Sequence, residues 1–136
     1  MTSDRLSQAY LEKAAVRIKA LKFLHSEKGY SDVIRESQEC VELLLKVLLR
    51  HCGIEIPKIH DVSKTLQTNT DRLPQIILDN LTEISTISRN LRKDRELSFY
   101  GTDDWIPTEE YHENDSLAAI EMTEKIFGWT SKAINP

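Results

Sequence analysis

Residues 34–66 read IRESQECVELLLKVLLRHCGIEIPKIHDVSKTL. Together with Val33 just ahead of it, Ser37, Cys40, Val41, Leu44, Val47 and Leu48 recur at three- and four-residue steps, the spacing of one helix face. The run VELLLKVLLR (41–50) is apolar on more than half of its circumference, which marks a helix that is central in its own domain or covered by a partner as well. Gly53 is placed to end this helix as a left-handed C-cap. Asp61 can then cap a short helix, DVSKTLQ, with Val62 and Leu66 turned inward. A long helix, a glycine stop and a short helix make the chain all-α.

The same period extends in both directions. Leu6, Tyr10, Ala14, Ile18, Leu21 and Leu24 give a first helix over roughly residues 4–27, and Ser31 is positioned to cap the second, with Asp32 where the dipole favours an anion. Pro74 fits the first turn of a long helix with Ile77, Leu81, Ile84, Ile87 (or Ser88) and Leu91 inward, fraying near residues 97–100 before Gly101. The segment GTDDWIPTEEYHE (101–113) has no periodicity and reads as a loop. Asn114 or Asp115 then caps a last helix built on Leu117, Ile120, Thr123, Phe127, Thr130 and Ile134. The expected architecture is an antiparallel up-and-down bundle of four long helices plus one short helix, a single domain over residues 1–136 with no internal repeat.

Composition narrows the function. With 40% hydrophobic against 29% charged residues the chain can bury a core, and 18 basic against 22 acidic residues exclude the coating of a nucleic acid by the whole surface. Cys40 and Cys52 stand twelve positions apart on one helix, about 18 Å at ~1.5 Å per residue, too far for a mutual disulfide. They read as reduced thiols of a cytoplasmic protein. Arg17, Lys19 and Lys22 interrupt the first helix, and no apolar run approaches the ~18 residues needed to cross a bilayer, so no membrane is expected.

Three constellations carry possible chemistry. Arg89, Arg92, Lys93 and Arg95 place four cations within seven residues, followed by the aromatics Tyr100 and Trp105, a mixture that suits the phosphates and bases of a nucleotide or an RNA strand. The structural alternative is a solvated helix end whose cations pair with Asp94, Glu96, Asp103 and Asp104. His60 with Asp61 offers an acid-base pair or two metal ligands, but no further ligand stands at zinc spacing, so no metal and no cofactor is expected and a structural role in capping is the simpler account. Cys52 sits at the helix end and is not a credible nucleophile without a positioned base, and neither a glycine-rich phosphate loop nor a serine nucleophile motif occurs.

The 34–66 stretch, in which a helix ends at a glycine and Pro57, His60 and Asp61 open a short helix, resembles the most recognisable part of HEPN domains. The later stretch LRKDRELSFYGTDDWIPTEEY (91–111) is similar to that family's second signature, and the helix from Asp115 to its closing one. The resemblance implies an antiparallel bundle, usually a homodimer, often paired with a minimal nucleotidyltransferase. Many members are ribonucleases of toxin-antitoxin pairs that use an Arg, then four to six intervening residues, then a His. Here the aligned Arg95 is followed by ELSF and Tyr100, and the histidine is absent. Tyrosine, with a pKa near ~10, is a poor proton carrier at neutral pH, and His112 lies seventeen residues beyond Arg95.

The resemblance, taken with the local cations and aromatics, leads to the expectation of a dimeric accessory protein that binds a nucleotide or RNA through Arg89, Arg92, Lys93, Arg95, Tyr100 and Trp105 and pairs with a nucleotidyltransferase. The alternatives are a metal-independent endoribonuclease toxin, with Arg95, Tyr100 and His112 as its candidate catalytic residues, and a helical interaction module with no ligand. A second ground for a homodimer comes from the residues themselves. Leu43, Leu44, Leu45, Val47, Leu48 and Leu49 offer more apolar surface than one bundle face is expected to bury.

Overall fold

The computed structural model of the chain describes residues 2–58 and 62–136, with the side chains of residues 2–4 and 94–99 outside that description. Among the described residues lie α1 (Thr2–Ser26), α2 (Tyr30–His51), α3 (Val62–Thr68), α4 (Gln75–Asp79), α5 (Leu81–Phe99), α6 (Pro107–Glu110) and α7 (Glu113–Ile134), with a 3-10 turn at Thr70–Arg72. α1, α2, α5 and α7 are the four long helices of an all-α bundle, and α2 packs against the other three. The His25 ring bonds to Ser116 and Asn135 donates to Gln8, so the end of α1 meets the start of α7 and the two run antiparallel.

The centre of the bundle follows from the leucines of α2. Leu44, Leu45, Leu48 and Leu49 show no exposed surface, and Val47 is also buried. α1, α5 and α7 cover these side chains from three sides, so the apolar surplus of α2 needs no second copy to hide it, contrary to the argument from sequence. Only Leu43 of that set stays half-buried, on an outward strip with Asp32, Glu36, Glu39, Lys46 and Arg50. Gly53 has φ +70, Gly53 N–H donates to Arg50 O (3.1 Å) and Ile54 N–H to Leu49 O (2.9 Å), the paired bonds that close a helix through a left-handed residue.

Four local expectations are revised. The α1–α2 turn is made by Lys28, with φ 63, and by Gly29, whose N–H donates to Leu24 O at 2.8 Å; Ser31 already lies inside α2 with its side chain buried and does not cap it. The helix expected to start at Pro74 is broken at Asn80, whose side-chain amide donates to Ile76 O (2.8 Å), so α4 ends and α5 begins there. The 101–113 segment contains α6 and an antiparallel bridge between Thr102 and Trp105. The N-cap of α7 is His112, and Asp115, inside the first turn, accepts from His112 N–H at 2.8 Å.

The buried face of α7 also differs from its apolar pattern. Ser116 is fully buried, while Leu117 beside it is 42% exposed. Ser116 is held by the His25 ring at 2.8 Å, and buried Thr123 donates to Ala119 O one turn back, so these small polar residues enter the core with their bonds made.

Candidate functional site

The basic end of α5 is carried by a helix anchored through Ile84, Ile87 and Leu91, all buried against the bundle. Arg89, Arg92 and Lys93 project from its other side and are exposed. At positions three and four apart they are neighbours, about 5–6 Å between Cβ atoms, a spacing suited to successive phosphate oxygens. They look in different directions. Arg92 borders a shallow groove with Gln38, Glu42, Val62 and Ser88, and it has a partner within the chain. Lys93 borders a cleft of about 320 Å³ against α7, with Asn90, Tyr111, Asp115 and Met122. The Arg95 side chain lies outside the described residues, as do His60 and Asp61.

The two aromatics are not equivalent. Tyr100, just beyond α5, is 77% exposed and next to the basic turns. Trp105 is instead half-buried, edge-on to the buried Tyr111 with centroids 6.1 Å apart and planes at 79°. Its indole N–H is buried and finds no acceptor. Trp105 is thus a packing residue of the turn in this arrangement, and Tyr100 is the ring presented to solvent. The turn that separates them needs Gly101, which has φ +68. A Cβ there would lie 2.4 Å from Trp105 O.

His112 is exposed at the start of α7, and its backbone is used in starting that helix. Cys40 is buried, its thiol 3.8 Å from Ala14 O, and burial pushes it up to about 11. Cys52 is also raised by burial. Neither thiol is activated, since a nucleophilic cysteine needs a depressed pKa. Among the described residues no three His, Cys, Asp or Glu side chains gather where a metal could sit. No helix among them is long and apolar enough to cross a membrane.

Sequence reasoning found the basic run but missed the Lys93 cleft, because Tyr111 and Asp115 come to it from a different part of the chain. The 320 Å³ space arises only when the start of α7 folds back beside α5. The family model described as HEPN domain matches residues 7–134. No curated protein and no solved structure matches the chain. With the match running from the second turn of α1 to the last residue of α7, over the whole bundle and the basic end of α5, this chain belongs to the HEPN domain family.

Proposed function

We propose that this protein binds a nucleotide or an RNA strand at the basic end of α5, as an accessory HEPN protein without the usual nuclease histidine. Membership of the family supports a nucleotide- or RNA-related role. The observation that carries the local reading is the exposure of Arg89, Arg92 and Lys93 over two turns of one helix, with Tyr100 exposed at its end. Arginine forks and an ammonium group supply the phosphate contacts, and Tyr100 supplies a face for a base. Arg95, one turn beyond Arg92 on the same helix, belongs to the set by sequence and by resemblance.

Because Tyr100 replaces the histidine of the family pattern, the reading assigns binding here and leaves phosphodiester chemistry to another chain. A minimal nucleotidyltransferase is the partner that the resemblance suggests, and co-purification from the native host tests it. Arg95→Ala is expected to weaken binding of RNA or nucleotide by roughly 1.5–3 kcal/mol, the range for a charge-assisted contact, with helix content unchanged. Binding also weakens as salt rises. Cleavage of RNA by the parent protein that disappears in Arg95→Ala would replace this reading with the ribonuclease toxin. Unchanged binding of every nucleotide and RNA tried would leave a plain interaction module. In Tyr100→His a group that titrates near neutrality stands five positions after Arg95, and gain of cleavage there would show that the missing histidine is what silences the site.

A further inference from the structure

α5 and α7 both pack on α2 but scarcely on each other, so a trough runs between them with α2 beneath it. Glu83, near the start of α5, accepts from Lys125 in the second half of α7 at 2.8 Å, while Lys93, later in α5, shares a cleft with Asp115 in the first turn of α7. The two helices therefore run antiparallel. Lys93 stands ten residues on from Glu83 and Asp115 ten back from Lys125, which sets them level with each other on opposite walls. The cleft of about 320 Å³ lies at that level. Ile34 of α2, Leu91 and Tyr111 give it a buried apolar lining, and half-buried Met122 extends that lining along α7. We propose that this cleft takes a guanine nucleotide, its phosphate on Lys93 and the Watson–Crick edge of its base on Asp115. The inference rests on the nucleotide-binding reading above and names the base.

Volume and lining decide the class of ligand. A space of about 320 Å³ stands at the lower end of the range for small-molecule sites and suits a single nucleotide. The apolar lining fits the face of a base, and the exposed ammonium group of Lys93 fits a phosphate.

Asp115 then selects among the bases. Its Oδ2 accepts from His112 N–H at 2.8 Å, which holds the carboxylate in place at the start of α7. A carboxylate has sites for about four hydrogen bonds, so acceptors remain for a ligand. Of the four RNA bases, guanine is the one with two adjacent donors on its Watson–Crick edge, the N1–H and the 2-amino group, and these match the two oxygens of a carboxylate. Adenine and cytosine place a ring-nitrogen acceptor beside their amino group, and uracil flanks its N–H with carbonyls. Each of these three would bring a lone pair against the carboxylate, and that repulsion supplies discrimination as much as the fit of guanine does.

The test is titration calorimetry of the full chain with guanosine, inosine and adenosine monophosphates, inosine being guanosine without the 2-amino group. The parent should bind guanosine monophosphate at least ~10-fold more tightly than the other two, the discrimination of one good bidentate pair. Asp115→Asn keeps an oxygen to accept His112 N–H, so the start of α7 survives, and it should erase the preference. Lys93→Gln should lower affinity for guanosine monophosphate to that for guanosine while keeping the order of guanine over adenine. Ala118→Trp, at an exposed position on the α7 wall, should fill the cleft and abolish binding with helical circular dichroism unchanged, and it keeps the question answerable if Asp115→Asn fails to fold. A short single-stranded RNA with one guanosine, and its twin with inosine there, separate the two sources of the base. Selective binding of the monophosphate identifies a free nucleotide, and selectivity seen only with the RNA identifies a guanosine within a strand; either supports the proposal. Indifference to the base in both formats, or selectivity that survives Asp115→Asn and Ala118→Trp, would overturn it. RNA binding that depends on Arg95 but ignores the base overturns this inference alone, whereas no binding of any nucleotide or RNA overturns the nucleotide-binding reading as well.

Discussion

α2 and the last turns of α5 are both helices that leave charged residues facing outward, but they differ in what stands behind those residues. α2 is enclosed by α1, α5 and α7, and four of its leucines have no exposed surface. From Arg92 to Glu110, by contrast, none of the residues with a described side chain is fully buried, and Trp105, Gly101 and Pro107 are only half-buried. Stability is therefore concentrated in the first region, and the second is free to carry exposed cations and an exposed Tyr100 at little cost to the fold. Side chains at the end of α5 can change with little disturbance of the bundle.

The largest test of that division is Leu44→Ala. Leu44 is completely buried on the central helix, and the substitution should cost about 2–5 kcal/mol through lost burial and an unfilled cavity. A chemical-denaturation midpoint equal to that of the parent would remove the contrast between the two regions. Gly101→Ala strikes the other side. A side chain at φ +68, 2.4 Å from the carbonyl of Trp105, should cost about 1–3 kcal/mol and loosen the 100–111 turn while α1, α2 and α7 persist. Hydrogen exchange resolves the outcome, and loss of protection spreading into α2 would mean that the turn and the core are one cooperative unit.

Smaller effects sharpen the picture. Burial raises the Cys40 thiol to about 11, so folding favours its protonated form. That contribution is fully present below the ordinary thiol range, near ~8.5, and is lost as pH climbs toward 11. Stability of the parent should fall across that window more steeply than stability of Cys40→Ala, and a thiol reagent should modify half-buried Cys52 well before Cys40. The smallest effect expected is at Lys125, which donates to Glu83 at 2.8 Å on the surface between α7 and α5. The hydrogen bond and charge of Glu83 raise the lysine, so what the pair adds is present at neutral pH and disappears only as pH rises through the lysine range. Lys125→Met should leave the denaturation midpoint unchanged within error at neutral pH.

Most of the bundle could be read from spacing alone, because α1, α2 and α7 bury stripes that repeat at the helical period. The exceptions have physical causes. The stripe through Ile77, Ile84 and Leu91 continues across Asn80, so periodicity passes over a break that a side-chain bond to Ile76 O creates. At the α1–α2 turn the left-handed residue is Lys28, a residue type that carries no sequence signal for that conformation. Ser116 takes the inward place that hydropathy assigns to Leu117, because His25 reaches it from a helix 91 residues away in sequence. For the candidate site, the cation run was visible locally. The burial of Trp105 against Tyr111 and the cleft beside Lys93 were not, since both depend on how residues 101–115 fold back along α5.

The bonds that join α1 to α7 bear on how quickly the chain finds its fold. His25 meets Ser116 across 91 residues, and Gln8 meets Asn135 across 127. Helical bundles reach the native state fastest when each helix packs on its neighbour in sequence, because short loops lose little entropy on closing. Here α1 and α2 can pair early as a local hairpin, whereas α7 must return across nearly the entire chain to lie against them. That return raises the contact order, so folding is expected to be slower than in a bundle whose helices pack only on their neighbours in sequence.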